Sequence, residues 1–310
     1  MKILVASEFP EAFLQKLRSQ GLTVTYSPTK NPEELIPIIA LYEVLIVRTF
    51  PTVRKELIDH AKSLKLLCRA GIGMDHIDVA YLEQKGIAVF NTKGANADSV
   101  GEQSVGMLLS LLHHISRGNQ HVKAFQWKRE ANRGSELQSL TVGIIGYGHT
   151  GSAVAKRLAG FGCRILAYDK YKRDYGNEYV EEVSLAFLQL HSQILSFHVP
   201  LTDETMNWGN STFFNQFTHP IYLLNLARGK VVHLPSLLQA LESGKVLGAG
   251  LDVLPNERFD TLGEGERFLY ERLFSKENVV LTPHVGGWSF ESRENIQDAI
   301  LMRILDFQKA

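Results

Sequence analysis

Gly146, Gly148 and Gly151 fall in G-x-G-x-x-G spacing within TVGIIGYGHTGSAVAKRLAGFGCRILAYDK, and their surroundings constrain the fold more than any other feature of the chain. The apolar run Thr141 to Ile145 precedes them, and a helical pattern carrying Ala153, Val154, Ala155 and Leu158 follows. A second apolar run, Arg164 to Tyr168, then ends at Asp169, 18 residues past Gly151. With 25 glycines in the chain a bare match means little, but strand, glycine turn, helix, strand and acid in this order form a dinucleotide-binding unit. Gly146 permits the tight turn, Gly148 lets backbone approach a pyrophosphate, and Gly151 lets helix pack closely on strand. The helix N-terminus offers N–H groups and a positive dipole end to the phosphates. A carboxylate at Asp169 accepts the ribose hydroxyls and repels a 2′-phosphate, so NAD is expected over NADP; Lys170 beside it softens that preference.

Apolar runs alternate with helical patterns along the rest of the chain. Lys2 to Ala6, Leu22 to Tyr26, Val44 to Val47, Leu66 to Arg69 and Ala88 to Asn91 read as strands, with amphipathic stretches such as Ala12 to Gln20 between them. After residue 140 come Thr141 to Ile145, Arg164 to Tyr168, Ile194 to Phe197, Ile221 to Asn225, Val246 to Leu251 and Val279 to Leu281. Between the two series Val105, Leu108, Leu109, Leu112 and Ile115 recur at helical spacing, predicting one helix from Ser99 to about His121, with Ser99 as N-cap and Glu102 completing a capping box. At 310 residues the chain has room for two cores, and the pattern predicts an α/β fold of two doubly wound parallel sheets.

Charge excludes some partners. Lys and Arg number 33, as do Asp and Glu, and no run of like charge serves as an arm for nucleic acid or lipid. The opening MKILVASEF is too short for a signal sequence and no 18-residue apolar stretch follows, so neither a membrane nor nucleic acid is expected as a partner. Cys68 and Cys163 lack ligand or redox spacing, which predicts no metal site, reduced thiols and a cytoplasmic setting.

If the dinucleotide serves hydride transfer to a carbonyl, the site needs a proton donor for the carbonyl oxygen, a cation for an acid group on the substrate and a group that orients the donor. Three residues lie just past strands, at the edge where an open parallel sheet meets its ligand. Arg228 follows Ile221 to Asn225 and offers a planar fork to a carboxylate; His284 follows Val279 to Leu281 with an imidazole that titrates near neutrality; Glu257 follows Val246 to Leu251 and can hold the other ring nitrogen. Each alone is commonly a solvated or packing residue, and it is the shared placement that points to chemistry.

The pieces RAGIGMDHID (69 to 78), NTKGANADSVGE (91 to 102), GIIGYGHTG (143 to 151), FHVPLTDET (197 to 205), LNLARGKVV (224 to 232), GAGLDVLPNE (248 to 257) and LTPHVGGWS (281 to 289) run in order over nearly the whole chain. They resemble the D-isomer-specific 2-hydroxyacid dehydrogenase family, in particular its phosphoglycerate dehydrogenase branch. The resemblance implies a flavodoxin-like substrate domain, residues 1–97 and 286–310, around an inserted Rossmann domain, 98–285. It implies hydride transfer between NAD and C2 of a small D-2-hydroxy acid, with Arg228 binding substrate, His284 as acid/base and Glu257 as its partner. Asp252 would hold the nicotinamide carboxamide, and backbone N–H groups around Ala70, Gly71, Ile72 and Gly73 would cradle the carboxylate. His198, Pro200 and Thr205 would lie beside the adenosine and pyrophosphate, His198 being alternatively a packing residue. Ser99, His149, Thr150, Leu226, Ala227 and Gly286 complete the implied cofactor contacts. The helix at Ser99 resembles the family's dimerisation segment, so a homodimer is expected unless that helix only fills a core.

The chain departs from the family pattern at His76, usually Asn, at Lys93, usually Pro, and at Arg258, where Pro commonly follows the Glu. Arg258 to Asn278 reads as a variable loop and helix, and the chain stops soon after the last helix, with no room for a C-terminal regulatory domain. Arg48 and Thr49 resemble the Arg and Ser near the active site of the phosphoglycerate branch; Arg48 is either a contact for a substrate phosphate or a solvated arginine at a strand end. 3-Phosphoglycerate therefore leads, with glyoxylate, hydroxypyruvate and lactate-type acids behind it. Two alternatives are an NAD-sensing corepressor of the same fold with little turnover and a homologue that binds NAD without catalysis; the presence of all three catalytic groups weighs against the second.

Overall fold

Ile3, Val5, Val44, Ile46, Leu66 and Cys68 point to one side of a sheet while Leu4, Leu45, Val47 and Leu67 point to the other, and both sides are buried. Strands apolar on both faces demand a cover on each, which is the parallel α/β arrangement. The computed structural model, which describes residues 1–309, divides into two such units: Met1–Asn96 with the chain from Phe290 onward, and Ala97–Ser289.

In the first unit β1 (Lys2–Val5), β2 (Thr23–Tyr26), β3 (Val44–Val47), β4 (Leu66–Arg69) and β5 (Ala88–Asn91) pair in the order β2-β1-β3-β4-β5, all parallel. The helix Phe290–Lys309 belongs here because Ile300, Leu301 and Ile304 sink into the same core as Ile3, Phe13 and Val44. Burying side chains of this size stabilises the unit by roughly 1.5–3 kcal/mol each.

The second unit holds β6 (Thr141–Ile145), β7 (Arg164–Tyr168), β8 (Glu181–Glu182), β9 (Ile194–Phe197), β10 (Ile221–Asn225), β11 (Val246–Leu251) and β12 (Val279–Leu281). Their order is β12-β11-β10-β9-β6-β7-β8, again all parallel. Chain direction across the sheet reverses between β6 and β9, and such a switch point is where loops diverge and open a crevice at the strand carboxyl ends. β8 has no counterpart in the sequence reading, since two glutamates at a sheet edge give no apolar period.

The helix expected from Ser99 to His121 is two helices, Ala97–Leu112 and Ile115–Lys123. Ser99 is the third residue of the first rather than its cap; its Oγ donates to the Gly286 carbonyl at 2.6 Å, and Glu102 accepts from Arg157 at 3.1 Å. The helix stops where the chain at Gly134–Ser135 crosses its end, the Ser135 N–H donating to Leu112 O at 3.0 Å, and His114 turns the backbone left-handed at φ 52°. Periodicity carries on through Ile115, so side-chain pattern alone could not register the break.

Candidate active site

The glycine turn has the shape its spacing implies. Gly146 has φ +93°, and a Cβ there would meet His198 O at 2.7 Å; a Cβ at Gly151 would meet Gly146 O at 2.1 Å. Gly148 differs: it precedes the helix His149–Leu158, which His149 and Thr150 open, and a Cβ there meets nothing within 4 Å. The first and third glycines are required by the fold itself, while the middle one faces open space at a helix N-terminus, the shape that admits a pyrophosphate. Asp169, directly after β7, accepts from Tyr147 N at 2.8 Å with Oδ2 and from Tyr171 N and Lys172 N at 2.9 and 3.0 Å with Oδ1. Burial pushes its pKa up, but those three N–H groups and the Lys172 charge outweigh burial, so the carboxyl stays below its ordinary range. An anion at a strand end with a lone pair to spare fits a ribose, and the residues present suit a dinucleotide.

His198 follows β9 in the middle of the sheet. Its ring is buried, Nε2 lies 2.8 Å from Ser196 Oγ, and burial pushes its pKa down to about 4, so it is neutral. Its backbone carbonyl abuts the glycine turn. Pro200 and Thr205 lie in a local turn, Thr205 Oγ1 donating to Pro200 O at 2.6 Å. Leu226 and Ala227, both buried, lead from β10 to Arg228.

Arg228, Glu257 and His284 follow β10, β11 and β12, three adjacent parallel strands. His284 Nδ1 lies 2.9 Å from Glu257 Oε2, both side chains close to half exposed. His284 adopts the left-handed region, φ 56°, which costs a side chain of this kind about 1 kcal/mol and persists only where neighbours impose it. The neighbour is Asp252, 2% exposed: Oδ1 accepts from Thr282 Oγ1 at 2.5 Å and Val285 N at 2.9 Å, and Oδ2 accepts from Gly286 N at 2.8 Å. The carboxylate that the resemblance assigns to the nicotinamide carboxamide thus also clamps the loop bearing the histidine. A Cβ at Gly286 would sit 2.8 Å from Asp252 Oδ2, which explains glycine there.

Asn225 went unremarked in the sequence. Buried at the end of β10, it accepts from Ala227 N at 3.1 Å and donates to Arg228 O at 3.0 Å, folding the turn that presents Arg228. Its place at a strand end in NLARG, where a buried amide must satisfy backbone, is the signal that could have found it.

The first unit holds the expected substrate loop. Ala70 N donates to Val47 O at 2.7 Å and Gly71 N to Thr92 Oγ1 at 2.9 Å, so two of the four expected cradle donors are engaged internally. The N–H groups of Ile72 and Gly73 make no internal hydrogen bond among the described residues, and Asn91 supports the loop by donating to Ile72 O at 2.9 Å. Arg48 directly follows β3: its N–H donates to Ser7 Oγ at 2.7 Å, its guanidinium to Glu8 O at 3.2 Å while lying 5.9 Å from the Phe9 ring centre. Burial first, then the Arg293 charge, lowers its pKa against the pull of Glu8.

Residues 105–286 match the family described as D-isomer specific 2-hydroxyacid dehydrogenase, NAD binding domain. Hydroxypyruvate reductase of Thermotoga maritima is 37% identical over 294 residues, 95% of this chain and 94% of that protein. The chain belongs to the D-isomer-specific 2-hydroxyacid dehydrogenase family. D-3-phosphoglycerate dehydrogenase of Archaeoglobus fulgidus is 33% identical over 311 residues, all of this chain and 58% of that protein. D-lactate dehydrogenase from Aquifex aeolicus, complexed with NAD and lactic acid, is a structural neighbour with TM-score 0.84 at 29% identity, the match covering all of this chain and 96% of that one. As a member of the 2-hydroxyacid dehydrogenases the chain is an NAD-dependent oxidoreductase acting on a CH–OH group. Among the described residues no helix is long and apolar enough to cross a membrane.

Proposed function

We propose that this dehydrogenase interconverts a three-carbon 2-keto acid bearing oxygen at C3 with its D-2-hydroxy acid, 3-phosphohydroxypyruvate and 3-phosphoglycerate being the leading pair. The observation that carries the dehydrogenase chemistry is the 2.9 Å contact between Glu257 and the Nδ1 of His284, whose loop is clamped by buried Asp252; the choice of acid rests on Arg48. NAD, when bound, accepts or supplies the hydride at C2. His284 handles the proton: its Nδ1 is held by Glu257, which leaves Nε2 to take the hydroxyl proton in oxidation and return it to the carbonyl oxygen in reduction. Glu257 stabilises the imidazolium formed on the way. Arg228 pairs with the carboxylate, and its charge polarises the carbonyl as negative charge develops on the oxygen. Ile72 and Gly73 N–H groups are the proposed backbone contacts to the carboxylate. The nucleotide contacts are proposed at Gly146, Gly148, His149, Thr150, Gly151 and Asp169.

Arg48 supports a phosphate at C3, since a partly buried guanidinium suits a doubly charged group better than a neutral hydroxyl. Hydroxypyruvate, the substrate in the name of the Thermotoga relative, is the rival. The test is a panel of glyoxylate, pyruvate, hydroxypyruvate and 3-phosphohydroxypyruvate with NADH. The phosphorylated acid should give the highest kcat/KM, and Arg48→Gln should raise its KM about tenfold or more, the scale of one charge-assisted contact, while sparing hydroxypyruvate. Equal loss on both acids would remove the phosphate from the reading.

A homodimer is part of the proposal. The helix Ile115–Lys123 has no buried residue, Ile115 and Val122 are more than half exposed, and Phe125 and Trp127 stand in solvent, an apolar face that a second copy would cover. The buried free thiols Cys68 and Cys163, their pKa values pushed up by burial, support a reducing, cytoplasmic setting.

A further inference from the structure

Three cations follow Asp169 within four residues, and they are held in different ways. Lys172 Nζ donates to Tyr147 O in the glycine turn at 2.9 Å, and Arg173 donates to the carbonyls of Asp169, Lys170 and Lys172 at 3.0, 3.4 and 2.6 Å, so both are engaged by neutral backbone dipoles. Lys170 is held by a charge from another element: its Nζ lies 2.6 Å from Oε2 of Glu204, on the loop after β9, and the Tyr171 hydroxyl reaches the same oxygen at 3.4 Å. The hydrogen bond to Glu204 raises the Lys170 pKa, and the reciprocal bond lowers that of Glu204, so both groups are ionised at neutral pH. Of the three cations that follow Asp169, Lys170 is the one turned toward a carboxylate of another element, Glu204.

A 2′-phosphate on the adenosine ribose would enter beside Asp169 as a group of nearly two negative charges. Asp169 repels it, and its carboxyl stays ionised because three N–H groups hold the charged form. Against that repulsion Lys170 is the nearest residue in sequence with a mobile ammonium, yet Glu204 engages it. We infer that the Lys170–Glu204 ion pair adds to the coenzyme preference that Asp169 sets: while it holds, Lys170 is withheld from a 2′-phosphate, and without Glu204 the same rim binds NADP more tightly. The inference rests on the dinucleotide reading of Gly146–Asp169. Both partners are about half exposed, so the pair contributes little to stability, and its loss changes charge at the rim without disturbing the fold.

The test uses the full chain and reads binding directly. NADH and NADPH are titrated by nucleotide fluorescence, and 2′-AMP, which carries the phosphate without the nicotinamide, is titrated by calorimetry. Glu204→Gln should tighten NADPH and 2′-AMP about fivefold, the scale of one exposed charge pair, and leave NADH within about twofold. Adding Lys170→Ala to that variant should abolish the gain. NADPH affinity unchanged in Glu204→Gln, or a gain that survives loss of Lys170, would overturn the inference while leaving NADH binding intact. Failure of every nucleotide to bind the unaltered chain would instead overturn the dinucleotide reading, and the inference with it.

Discussion

Asp252 binds the N–H groups of the two residues after His284, whose backbone is left-handed, so the proton transfer proposed for His284 would depend on a carboxylate that need not touch the reacting atoms. His284→Ala should lower kcat by roughly 10²–10⁴, the usual share of a positioned acid/base, with the NADH dissociation constant unchanged by fluorescence titration. Intact turnover would reject the assignment. Asp252→Asn should act through the loop: an amide has one acceptor oxygen where the carboxylate has two, so one of the three donors loses its partner at a cost of about 1–3 kcal/mol, visible as a lower Tm together with reduced kcat. His198 gives a pH signature. The unfolded chain protonates this imidazole near 6.5 and the fold refuses the proton until about 4, so the unfolded state binds more protons in that interval and stability falls as pH drops from about 7 to 4. The loss should reach about 2 kcal/mol at pH 5, and His198→Asn should flatten the dependence of Tm on pH over that range. An unaltered slope would mean that another group dominates.

At the scale of elements, the strand, turn and helix around the three glycines separate what folding requires from what binding requires. Gly151→Ala drives a Cβ to 2.1 Å from Gly146 O and should destabilise the second unit outright. Gly148→Ala, with no atom within 4 Å and an ordinary φ of −87°, should leave Tm unchanged yet weaken NADH by about tenfold or more, since the methyl takes the space of a pyrophosphate oxygen. Parallel loss of stability and affinity in both variants would argue against that division. The same elements show what a sequence can disclose. Buried parallel strands are continuous apolar runs, and β3, β4, β5 and the six longer strands of the second sheet stand at the residues read from the sequence. The helix break at His113–His114 was not legible, because it comes from Gly134–Ser135, some twenty residues away, closing over Leu112 O. Nor were the partners of Ser99 and Glu102, which form a local capping pattern but bond to Gly286 and Arg157. Arg228, Glu257 and His284 could be picked out because each follows a strand, and Asn225 could have been on the same ground; the clamping by Asp252 could not, because it consists of backbone contacts that spacing does not encode.

For the whole molecule the decisive fact is that the chain builds two separate sets of cores and returns to the first of them only with its last helix. Ile300, Leu301 and Ile304 supply the cover for one face of the first sheet, while the glycine turn and Asp169 lie wholly in the second unit. A ligand that binds one unit stabilises that unit by mass action, about 2.7 kcal/mol at a hundredfold excess over its dissociation constant. NADH should therefore raise the melting of the second unit, and Ile304→Ala, which empties a fully buried position at a cost of about 2–5 kcal/mol, should lower the melting of the first. Differential scanning calorimetry of the variant with NADH should show these opposite shifts as a widening of the transition or its separation in two. A single transition that moves as one in every case would mean that the units unfold together, and the NADH effect would then offset the loss at Ile304 rather than stand apart from it.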